Sequence, residues 1–425
     1  MVGKRSRRVN KVVASVGAAV IASAGLAACG SDSGSGTPVV NLYGGASAAG
    51  FDKIIDACNK EANGKFRIVG NLLPSDADGQ REQLVRRLAA KDESMDLIGM
   101  DVVWTAEFAE AGWIRELTEA QKAAATEDTL EGPIETAMWK DKLYGIPKHT
   151  NVQLLWYRKS LVPKPPKTWD EVLAMSKKLK ADGKPHVIGL TAAQYEGYVV
   201  GFNTILSSLG GTLVNEDSTK VTVDEKTVEA LSILQNLATG GLASKSLSNS
   251  QEPEVFAQMQ NGEAAFIMNW PYVLSAMKEA NEKVANDLGW TKLPAFAEGQ
   301  PARATLGGMD FAISSYSKHP NETFDAAMCL RSPEHQLQTA LEAGDPPVAP
   351  SVYEQAEFKE AYPMGPDMLA ELETAAPRPI TPLYQNLSTI VSTTLSPPSS
   401  IDPEKTADEL KDAIQQALDG KGILP

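Results

Sequence analysis

Cationic residues are scarce in this chain of 425 residues. It has 40 lysines and arginines against 54 aspartates and glutamates, which gives a net charge of −14. Proteins that bind nucleic acids meet the phosphate backbone with lysine and arginine, so this balance argues against a nucleic-acid partner. The first 28 residues carry five basic residues and no acidic one, so the rest of the chain is more acidic still. The charge says little about a neutral ligand.

Histidine and the common catalytic motifs are also rare. The four histidines are scattered, without the spacing of metal ligands. They are His149, His186, His319 and His335. The sequence contains no nucleophile elbow, P-loop or dinucleotide-binding fingerprint. It also has no repeat with a period of about 20–50 residues, which disfavours solenoids and propellers. We therefore predict that the protein is not an enzyme and uses neither a metal nor a cofactor.

The apolar run at the N-terminus is too short and too weakly apolar to favour a membrane span. Residues 12–28 are mostly Ala, Val, Gly and Ser, whereas a span takes about 20 strongly apolar residues. A head of five basic residues precedes this run, and small residues end it. This is the pattern of a secretory signal peptide, which we predict over residues 1–28. The alternative is an uncleaved transmembrane anchor.

Cysteine occurs three times. Cys29 follows Leu-Ala-Ala directly, and this ending resembles the lipobox of bacterial lipoproteins, in which the cysteine is acylated. We predict lipidation at Cys29, a flexible Gly/Ser tether over residues 29–37 and a location on the outer face of the cell membrane. Cys58 and Cys329 then form an even pair in an oxidising compartment, and we predict a disulfide between them. Two buried free thiols are the alternative.

The remaining chain is long enough for two domains. Its first hundred residues alternate between strand and helix patterns, which predicts βαβ units and a mostly parallel sheet. The strands are predicted at 39–43, 66–70 and 95–100, and the helices at 48–61, 80–90 and 105–111. Further on, strands are predicted at 153–158, 187–190, 264–268 and 306–313, and helices at 169–181 and 201–209, with Thr168 and Glu171 as a capping box. The fold class is therefore α/β.

Residues 143–147, 155–161, 165–171 and 266–271 carry a resemblance to a known family. The first three segments resemble the domain crossover of the maltose-binding-type receptors of ABC importers, and the fourth resembles the strand where that family carries a sugar-stacking tryptophan. Residues 101–113 and the motifs near 378–385 are similar to the trehalose-binding lipoproteins of actinobacteria that make mycolic acids. The resemblance covers nearly all of residues 38–420.

The resemblance implies a type II, two-lobe periplasmic-binding-protein-like fold with a ligand cleft between the lobes. The N-terminal lobe would comprise residues 38–150 and 305–350, and the C-terminal lobe residues 151–304 and 351–425. It also implies a monomer that closes on a neutral disaccharide, with trehalose as the expected sugar. The protein would then deliver the sugar to permease subunits driven by their ATPase. The alternatives are a receptor for maltose, maltodextrin or a glycerophosphodiester, and a secreted glycoside hydrolase that uses Asp101 and Glu196 as its acid and base.

A sugar is bound by carboxylates or amides that pair with its hydroxyls and by an aromatic ring that covers an apolar face. Asp101 follows a strand end, where α/β sheets bind ligands, although it is also placed to cap a helix. Asn151 lies at the crossing between lobes, where a hinge turn is the alternative. Trp270 is the stacking candidate, with core packing as its alternative. Arg378, between two prolines, offers five donors for ring and hydroxyl oxygens, against a surface salt bridge.

Six further residues are weaker candidates for ligand contacts. They are Gln80, Glu196, Gly307, Gly308, Tyr384 and, in the small first loop, Ser47. The alternatives left open are a surface position for Gln80, solvation in a loop for Glu196, a strand bulge for the two glycines and core packing for Tyr384.

Overall fold

The structure, a computed structural model, describes residues 36–45, 51–297 and 299–421. The predicted signal peptide, lipidation at Cys29, most of the tether and the candidate Ser47 lie outside the described residues. Within the described part, no helix combines the length and the apolar character that crossing a membrane requires.

The strands and helices follow in chain order. The strands are β1 Val39–Gly45, β2 Arg67–Leu73, β3 Leu97–Asp101, β4 Met138–Trp139, β5 Lys142–Leu143, β6 Gly145–Asn151, β7 Leu154–Arg158, β8 Val187–Gly189, β9 Ala264–Asn269, β10 Leu288–Thr291 and β11 Gly307–Ile313. The helices up to the last strand are α1 Phe51–Glu61, α2 Ala77–Ala89, α3 Thr105–Glu110, α4 Glu119–Thr126, α5 Glu131–Thr136, α6 Trp169–Ala181, α7 Glu196–Ser208, α8 Glu225–Thr239, α9 Glu252–Gln260, α10 Val273–Ala280 and α11 Glu282–Asp287. The remaining helices are α12 Pro320–Leu330, α13 Pro333–Ala343, α14 Pro350–Tyr353, α15 Ala356–Ala361, α16 Gly365–Leu372, α17 Tyr384–Thr394 and α18 Pro403–Leu418.

Two mixed sheets form the centres of the two lobes. The sheet of the N-terminal lobe has the order β2-β1-β3-β11-β6, and that of the C-terminal lobe has the order β10-β7-β9-β8. In each sheet one strand opposes the rest: β11 is antiparallel to β3 and β6, and β7 is antiparallel to β9 and β10. Both opposing strands are the first that the chain forms after it passes from one sheet to the other. The strands of the first hundred residues after the tether, β1 to β3, are parallel as predicted, whereas β11 enters that sheet in the opposite direction.

Strands β1, β3 and β11 of the N-terminal lobe carry buried residues on both faces of the sheet, since successive side chains point to opposite sides. Leu42, Leu97 and Phe311 belong to one hydrophobic cluster, which also contains residues of α1 and α12. Their neighbours Tyr43 and Ile98 belong to a second cluster, with residues of α2 and α3. The sheet is therefore the middle layer between two layers of helices.

The sheet of the C-terminal lobe lies within a larger hydrophobic cluster. Trp156 of β7 and Phe266 of β9 are fully buried in it, together with residues of α6, α7, α8 and α18. Ala340 and Ala349 also belong to this cluster. The division of the lobes at residue 350 and at the other predicted positions stays a prediction.

The predicted elements differ from the observed ones mainly at their ends. Helix α6 has the predicted bounds, and the Thr168 hydroxyl accepts a hydrogen bond from the amide of Glu171 at 3.2 Å. The Glu171 carboxylate, however, accepts from the amide of Lys167 at 2.6 Å instead of closing the capping box on Thr168. Helix α7 begins at Glu196, five residues before the predicted start at Gly201, because a buried helix tolerates that glycine in its interior.

A disulfide joins Cys58 of α1 to Cys329 of α12, with the two Cα atoms 5.9 Å apart at a sequence separation of 271. A cross-link that closes so long a loop restricts the unfolded chain by roughly 4–5 kcal/mol in the loop-entropy model. Glu61 and His335 flank the bridge, and together with the cysteines they have the composition of a metal site. Because the two sulfur atoms are bonded to each other, they are not the thiolates that a metal ion binds.

Candidate functional site

A cleft of about 560 Å³ lies between the two sheets, within the usual size range of small-molecule sites. The N-terminal lobe contributes residues from the ends of β3 and β6 and the start of β11, and from the first turns of α2. The C-terminal lobe contributes the start of α7, the start of α9 and the residues that follow β9. Most of these wall residues are therefore held at the ends of regular elements.

The structure brings most of the predicted ligand residues to this cleft. Those that line it are Gln80, Asp101, Asn151, Glu196, Trp270, Gly307, Gly308 and Arg378. Tyr384 is almost fully buried and is not among the described residues that line the cleft. The residues that sequence reasoning named thus come together in space, although they are spread over about 300 positions of the chain.

Trp104 is the N-cap of α3, so Asp101, the last residue of β3, lines the cleft and does not cap that helix. Its Oδ1 accepts a hydrogen bond from the amide of Val103 at 3.1 Å, which closes a turn ahead of α3. The same atom lies 3.2 Å from Nη2 of Arg378, with 21% of the aspartate side chain exposed. Oδ1 of Asp101 is thus hydrogen-bonded within the protein, and the exposed part of the carboxylate lies at the cleft surface.

Arg378 connects the two lobes at the base of the cleft. Its Nη1 donates to Oε1 of Glu196 at 2.5 Å, and its Nη2 donates to Asp101 and, at 3.4 Å, to the carbonyl of Leu306. Only 2% of the side chain is exposed. Burial opposes its charge, but the nearby groups Asp101, Tyr384 and Glu196 raise the pKa of Arg378 above its usual value. The predicted alternative, a solvated surface salt bridge, does not describe this environment.

The backbone next to Arg378 is fixed to the chain crossing that leads into β11. The amide of Ala376 donates to the carbonyl of Ala304 at 2.8 Å, and the amide of Leu306 donates to the carbonyl of Ala376 at 2.9 Å. The hydroxyl of Thr305 donates to the carbonyl of Val200 in α7 at 3.0 Å. Arg378 is therefore held where the lobes are connected.

Trp270 forms part of the opposite wall, directly after β9. Its ring is half-buried and lies against Gly307, since a Cβ on that glycine would be 3.0 Å from Cη2 of the indole. Gly308 has a φ of 135° and a Cβ there would lie 2.4 Å from the carbonyl oxygen of His149. The register of β11 against β6 shifts just after it, between Met309 and Asp310. The two glycines thus line the cleft and also begin an irregular strand.

Polar groups with few protein partners lie beside these residues. Oδ1 of Asn151 and Nδ1 of His149 are buried and have no hydrogen-bond partner in the described part of the chain, although Nδ1 of His149 lies 3.6 Å from Oδ2 of Asp345. Burial lowers the pKa of His149 to about 4, so the imidazole is neutral at pH 7. Gln80 uses its amide nitrogen for a long hydrogen bond of 3.4 Å to the carbonyl of Ser75. Neutral donors and acceptors of this kind suit hydroxyl groups.

Sequence reasoning missed a second aromatic wall on the C-terminal lobe. The hydroxyl of Tyr195 donates to Oε2 of Glu252 at 2.5 Å, and the rings of Phe256 and Tyr272 lie 6.1 Å apart. All four residues line the cleft. Tyr272 follows Trp270 and Pro271, so that segment could have indicated it. Glu252 and Phe256 belong to a helix whose sequence resembles any short amphipathic helix, and nothing local distinguishes them.

The cleft is acidic. Among its described lining residues, Arg378 is the only cation, against the carboxylates of Asp76, Asp101, Glu196 and Glu252. Behind the wall, burial and the charge of Asp101 raise the pKa of Asp310 well above its usual value. Because Arg378 is already paired with two of these carboxylates, the cleft offers no free positive charge to an anion.

Comparison with known proteins gives a consistent result. A family model described as bacterial extracellular solute-binding protein matches residues 44–337. A probable ABC transporter-binding protein of Deinococcus radiodurans is 30% identical over 342 residues, which cover 77% of this chain and 80% of that protein. A galactooligosaccharide-binding protein of Bacillus subtilis is 26% identical over 68% of this chain and 70% of its own length.

Solved structures show the same fold. Maltose-bound MalE3 of T. maritima superposes with a TM-score of 0.81 at 25% identity, over 89% of this chain and 99% of that one. The GacH receptor of Streptomyces glaucescens, solved unliganded and with acarbose, superposes with a TM-score of 0.79 at 20% identity, over 91% and 100% of the two chains. The two-lobe α/β architecture is therefore that of the maltose-binding type.

Proposed function

The chain belongs to the family of bacterial extracellular solute-binding proteins, and we propose that it is the sugar receptor of an ABC importer. It binds a neutral disaccharide in the cleft between its lobes. Trehalose is the expected sugar, and maltose is the alternative. It acts as a monomer and hands the sugar to the permease subunits, whose ATPase drives import. Two of the relatives are named for binding galactooligosaccharide and maltose, which supports a saccharide as the ligand class.

One observation carries this proposal: an aromatic ring and a set of hydrogen-bonding groups face the same space. Trp270 on one wall covers an apolar face, while Asp101, Asn151 and Arg378 offer acceptors and donors at the base. A sugar ring has this combination of apolar C–H faces and hydroxyl edges. The second aromatic wall of Phe256 and Tyr272, with Glu252 beside it, provides the same combination for a second ring.

The charge of the cleft favours a neutral ligand over a glycerophosphodiester. A phosphate is normally bound by arginine or lysine side chains with donors to spare, or by free backbone amides. Here Arg378 already has two carboxylate partners, and Asp76 and Glu252 add further negative charge. An anion would meet net repulsion in this site.

A glycoside hydrolase is disfavoured by the same contacts. Such an enzyme needs one carboxylic acid and one carboxylate that both reach the glycosidic bond. Glu196 is surrounded by protein donors, and Arg378 bonds both Glu196 and Asp101. We therefore propose that the bound sugar leaves the cleft chemically unchanged.

Ligand binding by the purified protein tests the function. We expect trehalose, and more weakly maltose, to raise the unfolding midpoint and to give a saturable calorimetric titration, while glycerophosphocholine does neither. At a hundredfold excess over Kd, the bound state gains about 2.7 kcal/mol. Sugar recovered after long incubation is expected intact. A shift with glycerophosphocholine alone would contradict the proposal, and release of glucose from trehalose would show an enzyme.

We also propose that Cys29 carries the lipid that keeps the receptor at the outer face of the cell membrane, because this cysteine directly follows Leu-Ala-Ala, an ending that resembles the lipobox of bacterial lipoproteins. Replacement of Cys29 by serine is expected to move the protein from the membrane pellet to the soluble fraction. Fractionation of cells that express either form measures this. A serine variant that still pellets with membranes, and is released only by detergent, would contradict lipidation at this residue.

A further inference from the structure

Glu196 belongs to the cleft wall, yet its carboxylate is occupied by the protein itself. Its Oε1 accepts hydrogen bonds from Nη1 of Arg378 and from the hydroxyl of Tyr384, each at 2.5 Å, and its Oε2 accepts from the hydroxyl of Ser388. Only 7% of the side chain is exposed. A carboxylate has about four acceptor positions, so three donors leave little capacity for a ligand hydroxyl.

Two helices of the C-terminal lobe build this arrangement. Glu196 is the first residue of α7, where the helix dipole favours a negative charge. Tyr384 and Ser388 are four residues apart in α17 and therefore lie on the same face of that helix. The Tyr384 ring also lies 5.8 Å below the guanidinium carbon of Arg378. The tyrosine thus contacts both members of the ion pair.

The backbone of Glu196 is held from the other lobe. Its amide donates to Oδ2 of Asp78 at 3.3 Å, and Oδ1 of the same aspartate accepts from the side-chain amide of Gln385 at 3.2 Å. Asp78 lies in α2 of the N-terminal lobe. The position of Glu196 is therefore fixed by its side chain and its main chain together.

An arginine side chain loses roughly 2 kcal/mol of rotamer entropy when it is held in one geometry. Acceptors that order it before the ligand arrives remove this cost from the binding step. Glu196 supplies such an acceptor on Nη1, and Asp101 and the Leu306 carbonyl supply two on Nη2. Nε has no partner in the described part of the chain.

We propose that Glu196, held by Tyr384 and Ser388, is a positioning residue that orients Arg378 for the ligand and does not itself contact the sugar. The inference rests on the proposed function in one respect, that Arg378 meets the ligand. It assigns Glu196 and Tyr384, which the sequence suggested as ligand contacts, to the support of the arginine.

A double-mutant cycle on ligand affinity tests the assignment. Glu196→Met removes both acceptor oxygens at similar length and is expected to raise Kd about tenfold, whereas Glu196→Gln keeps an acceptor for Arg378 and is expected to stay within about threefold. In an Arg378→Met background, Glu196→Met is expected to change Kd by less than about twofold. Replacement of the exposed Glu229 of α8 by methionine serves as the matched control. If Glu196→Met raised Kd equally in both backgrounds, Glu196 would contact the sugar directly, and the proposal would be overturned.

Crystals of the ligand-free Glu196→Met and Glu196→Gln proteins give a readout that needs no ligand. The guanidinium of Arg378 is expected to leave its position in the methionine variant and to keep it in the glutamine variant. An unmoved guanidinium in the methionine variant would overturn the proposal. If the guanidinium moves while the wild-type protein binds no saccharide, the positioning role stands and the proposed function fails.

Tyr384→Phe covers the case in which Glu196→Met does not fold. It removes one donor to Glu196 and retains the ring beneath Arg378. We expect Kd to rise about two- to fivefold with Arg378 present and to remain unchanged in the Arg378→Met background. A Kd that Tyr384→Phe alters equally in both backgrounds, or in neither, would count against the positioning role.

Discussion

Replacement of Trp270 by alanine is expected to raise the Kd for the disaccharide by about 30- to 150-fold. The ring covers an apolar sugar face, and the loss of that buried area together with the aromatic contact amounts to roughly 2–3 kcal/mol. The indole is half-buried and lies against Gly307. The free energy of unfolding of the ligand-free protein should therefore fall by about 1 kcal/mol or less. Titration calorimetry and urea unfolding measure the two quantities.

A matched control is available at Trp139, a half-buried tryptophan of β4 outside the cleft. Its indole nitrogen donates to Oε2 of Glu110 at 2.8 Å. Trp139→Ala should leave Kd unchanged, and Trp270→Phe should retain part of the affinity because a ring remains. Equal affinities for the wild type and Trp270→Ala would refute the stacking role. A parallel loss in the Trp139 variant would point to a general loss of fold.

Local sequence signals were sufficient wherever one element carries the information. The Thr168 cap and the apolar spacing behind it predicted the bounds of α6. Trp270 is predicted from the resemblance of residues 266–271 to the maltose-binding-type receptors, and Asp101 because strand ends in α/β sheets face ligands. Each of these residues depends on its own segment, so its position could be inferred before any tertiary contact was known.

The direction of β7 and β11 could not be obtained in the same way. An apolar run predicts a strand, but it does not state which neighbour the strand pairs with or in which direction it runs. Both strands follow a passage between the sheets, and that passage is set by the packing of two lobes. The second aromatic wall has the same origin, because Glu252, the first residue of α9, meets Tyr195, the residue before α7, across 57 positions of the chain.

The role of Glu196 shows how far pattern reasoning reaches. Its chemistry and loop position predicted a residue near the ligand, and it does line the cleft. Its three donors come from positions 378, 384 and 388, almost two hundred residues away. Only the fold reveals that the carboxylate is already in use, and this changes the expected consequence of a mutation from lost contact to lost orientation of Arg378.

Arg378→Met is expected to raise the Kd for the sugar about 100-fold, which titration at high sugar concentration still measures, and to lower the free energy of unfolding by about 3–5 kcal/mol at pH 7. Removal of one partner of a buried ion pair leaves the other charge uncompensated, which is the costly case. Glu196 would be that charge, whereas Asp101 is partly exposed and can be hydrated. Arg378→Lys should be intermediate, since a single ammonium group cannot satisfy both carboxylates.

The pH dependence separates this cause from a packing defect. Burial already raises the pKa of Glu196 above the usual value of a glutamate, while Arg378 opposes that rise. Without the arginine the folded-state pKa of Glu196 rises further, so the protonated form is favoured in the folded protein. Such a group contributes stability below its unfolded pKa and loses that contribution as the pH rises through its folded pKa. The free energy of unfolding of Arg378→Met should therefore lie closer to that of the wild type at pH 5 than at pH 8.

Arg378→Met combined with Glu196→Gln should regain stability without regaining affinity for the sugar. Urea unfolding at both pH values measures the stability. A difference in the free energy of unfolding that does not vary with pH would show that the cavity left by the arginine, and not the unpaired charge, causes the loss.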